Sequence, residues 1–130
     1  MLSQEPRIKN LSLEFVGKRL QDQSDWAKED VERALERYKN FLLLICKYPN
    51  VVLAPAPDID EVWHQHILFT KEYARDCHAI FGEYLHHTPS QAADPREKKR
   101  MEKALSQTAA LYTQEFKELY FLELDISSFW

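Results

Sequence analysis

Residues 25–48 read DWAKEDVERALERYKNFLLLICKY. Within them Ala27, Val31, Ala34, Leu35, Tyr38, Phe41, Leu42 and Ile45 recur at three- and four-residue steps, the period of a helix with a buried face. Asp25, Glu29 and Asp30 stand near the start, where the helix dipole favours negative charge, and Ser24 is placed to cap it. Pro49 cannot extend the hydrogen-bond ladder, so the predicted helix closes at Tyr48. At 1.5 Å per residue it is about 36 Å long. Leu43, Leu44 and Cys46 widen its apolar face beyond one stripe, which predicts a central helix touched from several sides.

Outward from this helix the chain reads as further helices joined by polar connections. Leu11–Leu20 carries a rough helical pattern behind an irregular opening, and residues 21–25 read as a connection. Val51–Pro57, with Pro55 and Pro57, is a connector. Asp58 or Asp60 can cap a helix that follows, whose apolar face continues through Tyr73, Cys77, Ile80 and Phe81 to Gly82, a natural stop. Residues 83–93 read as a loop. Asp94-Pro95-Arg96-Glu97 opens a last long helix, with Asp as cap and Pro as first helical residue. Its buried face is Met101, Ala104, Leu105, Thr108, Tyr112, Phe116 and Leu119. Phe121–Trp130 alternates at Leu122, Leu124 and Ile126, which fits a short strand or an extended tail. The expected fold is all-α: one domain over 1–130, a bundle of four to six helices around the long one, with a short extended C-terminal tail as an open option.

Composition excludes several classes. The 130 residues are enough for one core and too few for two ordinary domains. Only Gly17 and Gly82 are glycines, so no Gly-rich phosphate loop can be written, and no nucleotide cofactor is expected. A net charge of −4 gives no global attraction to nucleic acid or anionic membrane. The longest apolar run, Phe41–Cys46, falls far short of the ~18 residues of a membrane span, and the N-terminus lacks the apolar core of a secretory signal. Cys46 and Cys77 are therefore expected as reduced thiols in a cytoplasmic protein.

The histidines carry the chemical signal. All five, His64, His66, His78, His86 and His87, lie between positions 64 and 87. Imidazoles with carboxylates and a thiol are the usual ligand set for zinc or iron. Asp60 and His64, four apart, share a helix face, whereas His66 is turned about 200° from His64. His78 is about 21 Å further along a straight helix and cannot share an ion with His64. An unbroken helix from Asp60 to Gly82 would also carry the loop about 33 Å away, beyond the ~20 Å reach of five or six extended residues. A break near Phe69-Thr70, with Thr70 capping a second helix over 71–81, brings His87 or His86 back over Asp60 and His64. A shared site requires that break.

The stretch Asp58-Ile59-Asp60-Glu61-Val62-Trp63-His64-Gln65-His66, followed by Tyr73, Asp76-Cys77, Phe81-Gly82 and His87, resembles the N-terminal domain of the glycine-rich domain-containing protein family. That domain carries D-x-D-x-V-W-H-x-H, then Y-x-x-D-C, F/Y-G and a further His at these spacings. The match is close over about thirty residues and looser around Tyr112, Phe116 and Tyr120. The family often has Pro where this chain has Thr70, in keeping with the break. The Gly-rich region that names the family is not among these residues, so the resemblance implies a domain identity and no particular reaction.

Two functions follow. In the first, a cytosolic helical domain binds one zinc or iron ion through Asp60, His64 and His87, with His66, Asp58, His86 and Cys77 as reserve ligands. The ion would have open positions, and the reaction is unspecified. In the second, the Asp/Trp/His element is structural, with Trp63, Tyr73 and Gly82 framing it, and the domain binds a protein partner or a second copy. The run Arg96–Lys103 holds five positive and two negative charges. With Met101 turned inward and no interleaved aromatics, it reads as a solvated face, and neither nucleic acid nor membrane is an expected partner.

Overall fold

The computed structural model describes residues 4–87 and 94–121. Six helices follow in order: α1 Glu5–Lys9, α2 Glu14–Ser24, α3 Lys28–Lys47, α4 Pro57–Leu68, α5 Thr70–Phe81 and α6 Pro95–Phe116. No strand occurs among the described residues. The fold is all-α, as expected. The expected C-terminal tail, beyond Phe121, and the end of the 83–93 loop lie outside the described residues.

The long helix is central. One side of α3 meets α4, and α1, α2 and α6 pack on it as well. Val31, Ala34, Tyr38 and Phe41 form the buried stripe, and Leu42, Leu43 and Leu44 are buried beside it. Four consecutive buried residues, 41–44, cover more than half the helix circumference, which is possible only where neighbours pack on several sides. Gly17 lets α2 approach α3: a Cβ there would stand 3.1 Å from Val31 Cγ1 and 3.2 Å from Leu35 Cδ1.

Several boundaries differ from the sequence reading, each for a local reason. The opening is not irregular: Pro6 sits in the first turn of α1 and Ile8 is fully buried. Residues 21–24 continue α2 instead of connecting, so Ser24 is helical and not a cap; the helix ends at Asp25 in the left-handed region (φ 56°). α3 begins at Lys28 behind Ala27, without a side-chain cap. Neither Asp58 nor Asp60 caps α4, because Pro57 already occupies its first position and Ala56 precedes it. Leu119 does not line the buried face of the last helix: α6 stops at Phe116, Lys117 turns left-handed, and Leu119 is 75% exposed.

The expected break is present. α4 ends at Leu68, Phe69 adopts φ −85° and ψ 73°, and α5 starts at Thr70. Thr70 is the first helical residue and not the cap. Gly82 ends α5 in the left-handed conformation (φ 76°). Asp94 caps α6, its Oδ1 accepting from the Arg96 N–H at 2.9 Å.

The connector before α4 is held by side chains, since an extended buried backbone must find partners. The Ala54 N–H donates to Thr108 Oγ1 (2.9 Å), and the Ala56 N–H to the Tyr120 hydroxyl (2.8 Å). Tyr120 in turn donates to the Ala54 carbonyl (2.7 Å). These bonds fasten the connector to α6 and to Tyr120 beyond it, just ahead of the start of α4.

Candidate functional site

Pro57 at the head of α4 fixes which way each motif residue faces. Asp58 points at α3. Arg37 Nε donates to Asp58 Oδ2 (2.8 Å) and Nη2 to Oδ1 (3.2 Å), a forked pair. The same guanidinium donates to the carbonyls of Leu119 (3.1 Å) and Tyr120. It lies beside the paired rings of Tyr112 and Tyr120, 5.4 Å and 5.7 Å from their centroids, which are themselves 4.9 Å apart. With its side chain 4% exposed, Arg37 is a buried cation satisfied by one carboxylate and two backbone carbonyls.

Trp63 and His66 face the core on the other side of α4. The Trp63 indole N–H donates to the Tyr73 hydroxyl (2.9 Å), which donates onward to the Leu85 carbonyl. Burial pushes the Tyr73 hydroxyl far above its ordinary pKa, so it stays a donor at any physiological pH. His66 is 1% exposed. Its Nε2 lies 2.9 Å from Asp76 Oδ2, and its Nδ1 lies 2.8 Å from the Tyr38 hydroxyl. A carboxylate only accepts, so the network assigns the proton to Nε2 and has Nδ1 accept from Tyr38. Burial lowers the His66 pKa, outweighing the opposing pull of Asp76, so the ring is neutral at pH 7.

The exposed side of α4 carries Asp60 and His64. The break at Phe69 and the turn at Gly82 return the chain over this side, and His87 Nε2 comes 2.6 Å from Asp60 Oδ1. The His87 ring stacks on Trp63, with centroids 4.0 Å apart and planes 6° from parallel. Asp60, Trp63 and Tyr73 thus hold a strap of residues 83–87 against the two helices.

Of the three expected ligands, Asp60 and His87 are brought together. His64 is exposed and makes no hydrogen bond or ring contact among the described residues. Among those residues no three His, Cys, Asp or Glu side chains converge as a metal-ligand group. The reserve ligands are placed elsewhere. His66 has both ring nitrogens engaged, and Asp58 belongs to Arg37. Cys77 is a buried thiol whose pKa burial raises, and His86 is exposed against Tyr84, centroids 4.8 Å apart. His78 is exposed on α5.

Arg37 and Tyr38 are the residues that sequence reasoning missed as partners. The signal was present: Arg37 follows Ala34 by three and precedes Phe41 by four, which puts a cation on the buried face. A buried cation demands an anion, and Asp58 is the one the fold supplies. Gln65 is a smaller omission; it accepts from Arg19 Nε (2.8 Å) and donates to Glu61 (3.0 Å), tying α4 to α2.

Over 94 residues the chain is 30% identical to glycine-rich domain-containing protein 1 of Arabidopsis thaliana, covering 69% of this chain and 11% of that protein. The chain therefore spans about a tenth of the length of this relative. No solved structure matches it. The model of the UCP032817-like family matches residues 6–118, nearly the whole helical bundle, and the chain belongs to that family.

Proposed function

We propose that this domain is a cytosolic interaction module whose Asp/Trp/His element is its internal lock. One observation carries the reading: every polar group the motif buries is answered from within the fold. Asp58 meets Arg37, Trp63 meets Tyr73, and His66 meets Tyr38 and Asp76. Among the described residues no buried side-chain nitrogen or oxygen lacks a partner. A motif built to hold a ligand leaves donors or acceptors aimed at it; this one spends them on cohesion. Two exposed apolar side chains support binding a protein or a second copy. Val52 is 76% exposed and Leu119 75%, and both adjoin the Ala54–Tyr120 fastening.

A second reading is coordination of one zinc or iron ion. The direct approach of Asp60 to His87, with His64 one turn along the same exposed face, favours it. An ion there would displace the hydrogen bond and take Asp60, His87 and His64 as ligands.

Elemental analysis of untagged protein separates the two. The first reading expects less than 0.1 mole equivalent of zinc or iron, on the order expected of a protein without a metal site. It also expects concentration-dependent association, or capture of one defined partner, that Val52→Asp with Leu119→Asp abolishes. A stoichiometric metal lost in His87→Ala with the helical content intact would establish the second reading instead.

A further inference from the structure

The first two turns of α6 carry a cationic stripe. Arg96, Lys99, Arg100 and Lys103 occupy positions i, i+3, i+4 and i+7, one face of the helix, and all four are exposed. Glu97 and Glu102 fall more than a quarter turn to either side of that face. Among the described residues the only ion pair that the four make is a loose one, Arg100 to Glu97 at 3.7 Å. Elsewhere Lys9, Lys47 and Arg75 each have a carboxylate within 3.2 Å. No residue of α6 before Ala104 is buried, so this end of the helix stands off the core.

The segment that holds the stripe is opposite in net charge to the rest of the chain. Residues 96–103 carry five positive and two negative charges, or +3, and the whole chain carries −4, which leaves −7 on the rest. A polyanion therefore meets net positive charge at this segment although the chain as a whole is acidic, the condition a modestly acidic protein must satisfy in order to bind one at all.

Magnitudes select the occupant. A second copy could set its acidic side against the stripe, but exposed ion pairs are individually too weak to offset the entropy of association. A peptide partner needs a large apolar anchor, and this face offers none that is exposed: Gln107, Ala110 and Gln114 continue it, and Leu111 at its edge is half-buried. A nucleic-acid backbone needs neither, because neutralising phosphates releases condensed counterions. Two of the four cations are arginines, whose planar forks match phosphate oxygens. We infer that the Arg96–Lys103 face of α6 binds the phosphate backbone of nucleic acid without reading its sequence. The face has no aromatic side chain on which bases could stack, so the contact is to backbone alone.

The test is fluorescence anisotropy with a labelled 20-nucleotide single-stranded RNA of mixed sequence and the full chain. In 50 mM salt the expected Kd is on the order of 10⁻⁵ M, and four phosphate contacts weaken it about fifty-fold by 200 mM. Replacing Arg96, Lys99, Arg100 and Lys103 by Gln should weaken binding at least about tenfold. A control replacing exposed Lys18, Lys28, Arg33 and Lys71 by Gln, with the same change in net charge, should stay within about threefold of the parent. Circular dichroism checks that both proteins remain helical. If the first does not, the pairs Arg96→Gln with Lys99→Gln and Arg100→Gln with Lys103→Gln are read instead, each flattening the salt dependence by about half. Three outcomes overturn the inference: no anisotropy change up to 100 μM protein, equal loss in the control, or displacement of the RNA by poly-glutamate at equal charge concentration.

Discussion

Arg37 shows how one residue can organise a motif that begins twenty-one positions away. Its side chain spans Asp58 on α4 and the carbonyls of Leu119 and Tyr120 beyond α6, so three parts of the chain meet at one guanidinium. Removing the carboxylate strands a cation whose side chain is 4% exposed. Asp58→Ala is therefore expected to lower the unfolding free energy by about 3–5 kcal/mol, read from urea denaturation. A change below ~1 kcal/mol would mean that the two carbonyls suffice. His66 sets a second expectation. Its folded pKa is lowered, so below the unfolded value of about 6.5 the unfolded chain binds the extra proton and the native state resists it. Stability contributed by the neutral ring is present above that value and is lost as the pH falls through it toward the folded pKa. The urea midpoint should fall between pH 7.5 and pH 5, and the fall should be shallower in His66→Gln. An equal slope in both proteins would remove His66 as the cause. The sequence disclosed Asp58, Trp63 and His66 as a set but not their partners. Pairing across elements depends on how helices rotate against each other, and no spacing rule encodes that.

The kink between α4 and α5 is the element on which the site depends. It was legible, because reach alone forbade a straight helix from bringing His87 to Asp60. The contact at 2.6 Å bears out that argument for two of the three residues. Thr70 is exposed and is the first residue of α5, the position where proline's missing N–H and fixed φ are tolerated best. Phe69 before it is already outside the helical region, as a residue preceding proline must be. Thr70→Pro should leave the fold intact and stabilise it by up to about 1 kcal/mol through the unfolded state. A loss above ~2 kcal/mol would show that the Thr70 N–H or side chain holds the break. The short α1 escaped sequence reading for the converse reason. Five residues with one buried side chain, Ile8, contain too little periodicity to register, and the helix exists only because α3 and α5 receive it. Likewise, Asp25 and Lys117 end their helices in the left-handed region, where glycine is the usual signal and none is written.

At the scale of the whole molecule, the polar side chains of the interior and the exposed side chains of the surface are set apart. The interior is cross-linked by polar contacts: Arg37 to Asp58, His66 to Asp76, Trp63 to Tyr73. The exterior exposes the apolar side chains of Val52 and Leu119 and the four cations of the α6 stripe. The all-α class and the central place of α3 followed from apolar period, since burial on several sides leaves its mark along the helix itself. The surfaces were less legible, because exposure depends on what packs nearby and not on residue type alone. The imidazole of His87 lying flat on the indole of Trp63 makes the strap observable by light. If the strap lifts, water replaces the ring over an indole that is otherwise 5% exposed. The emission of a protein carrying Trp26→Phe and Trp130→Phe would then shift to the red while its helicity stays constant. The single remaining indole thus acts as a gauge of local opening, distinguishing a detached strap from a melted bundle.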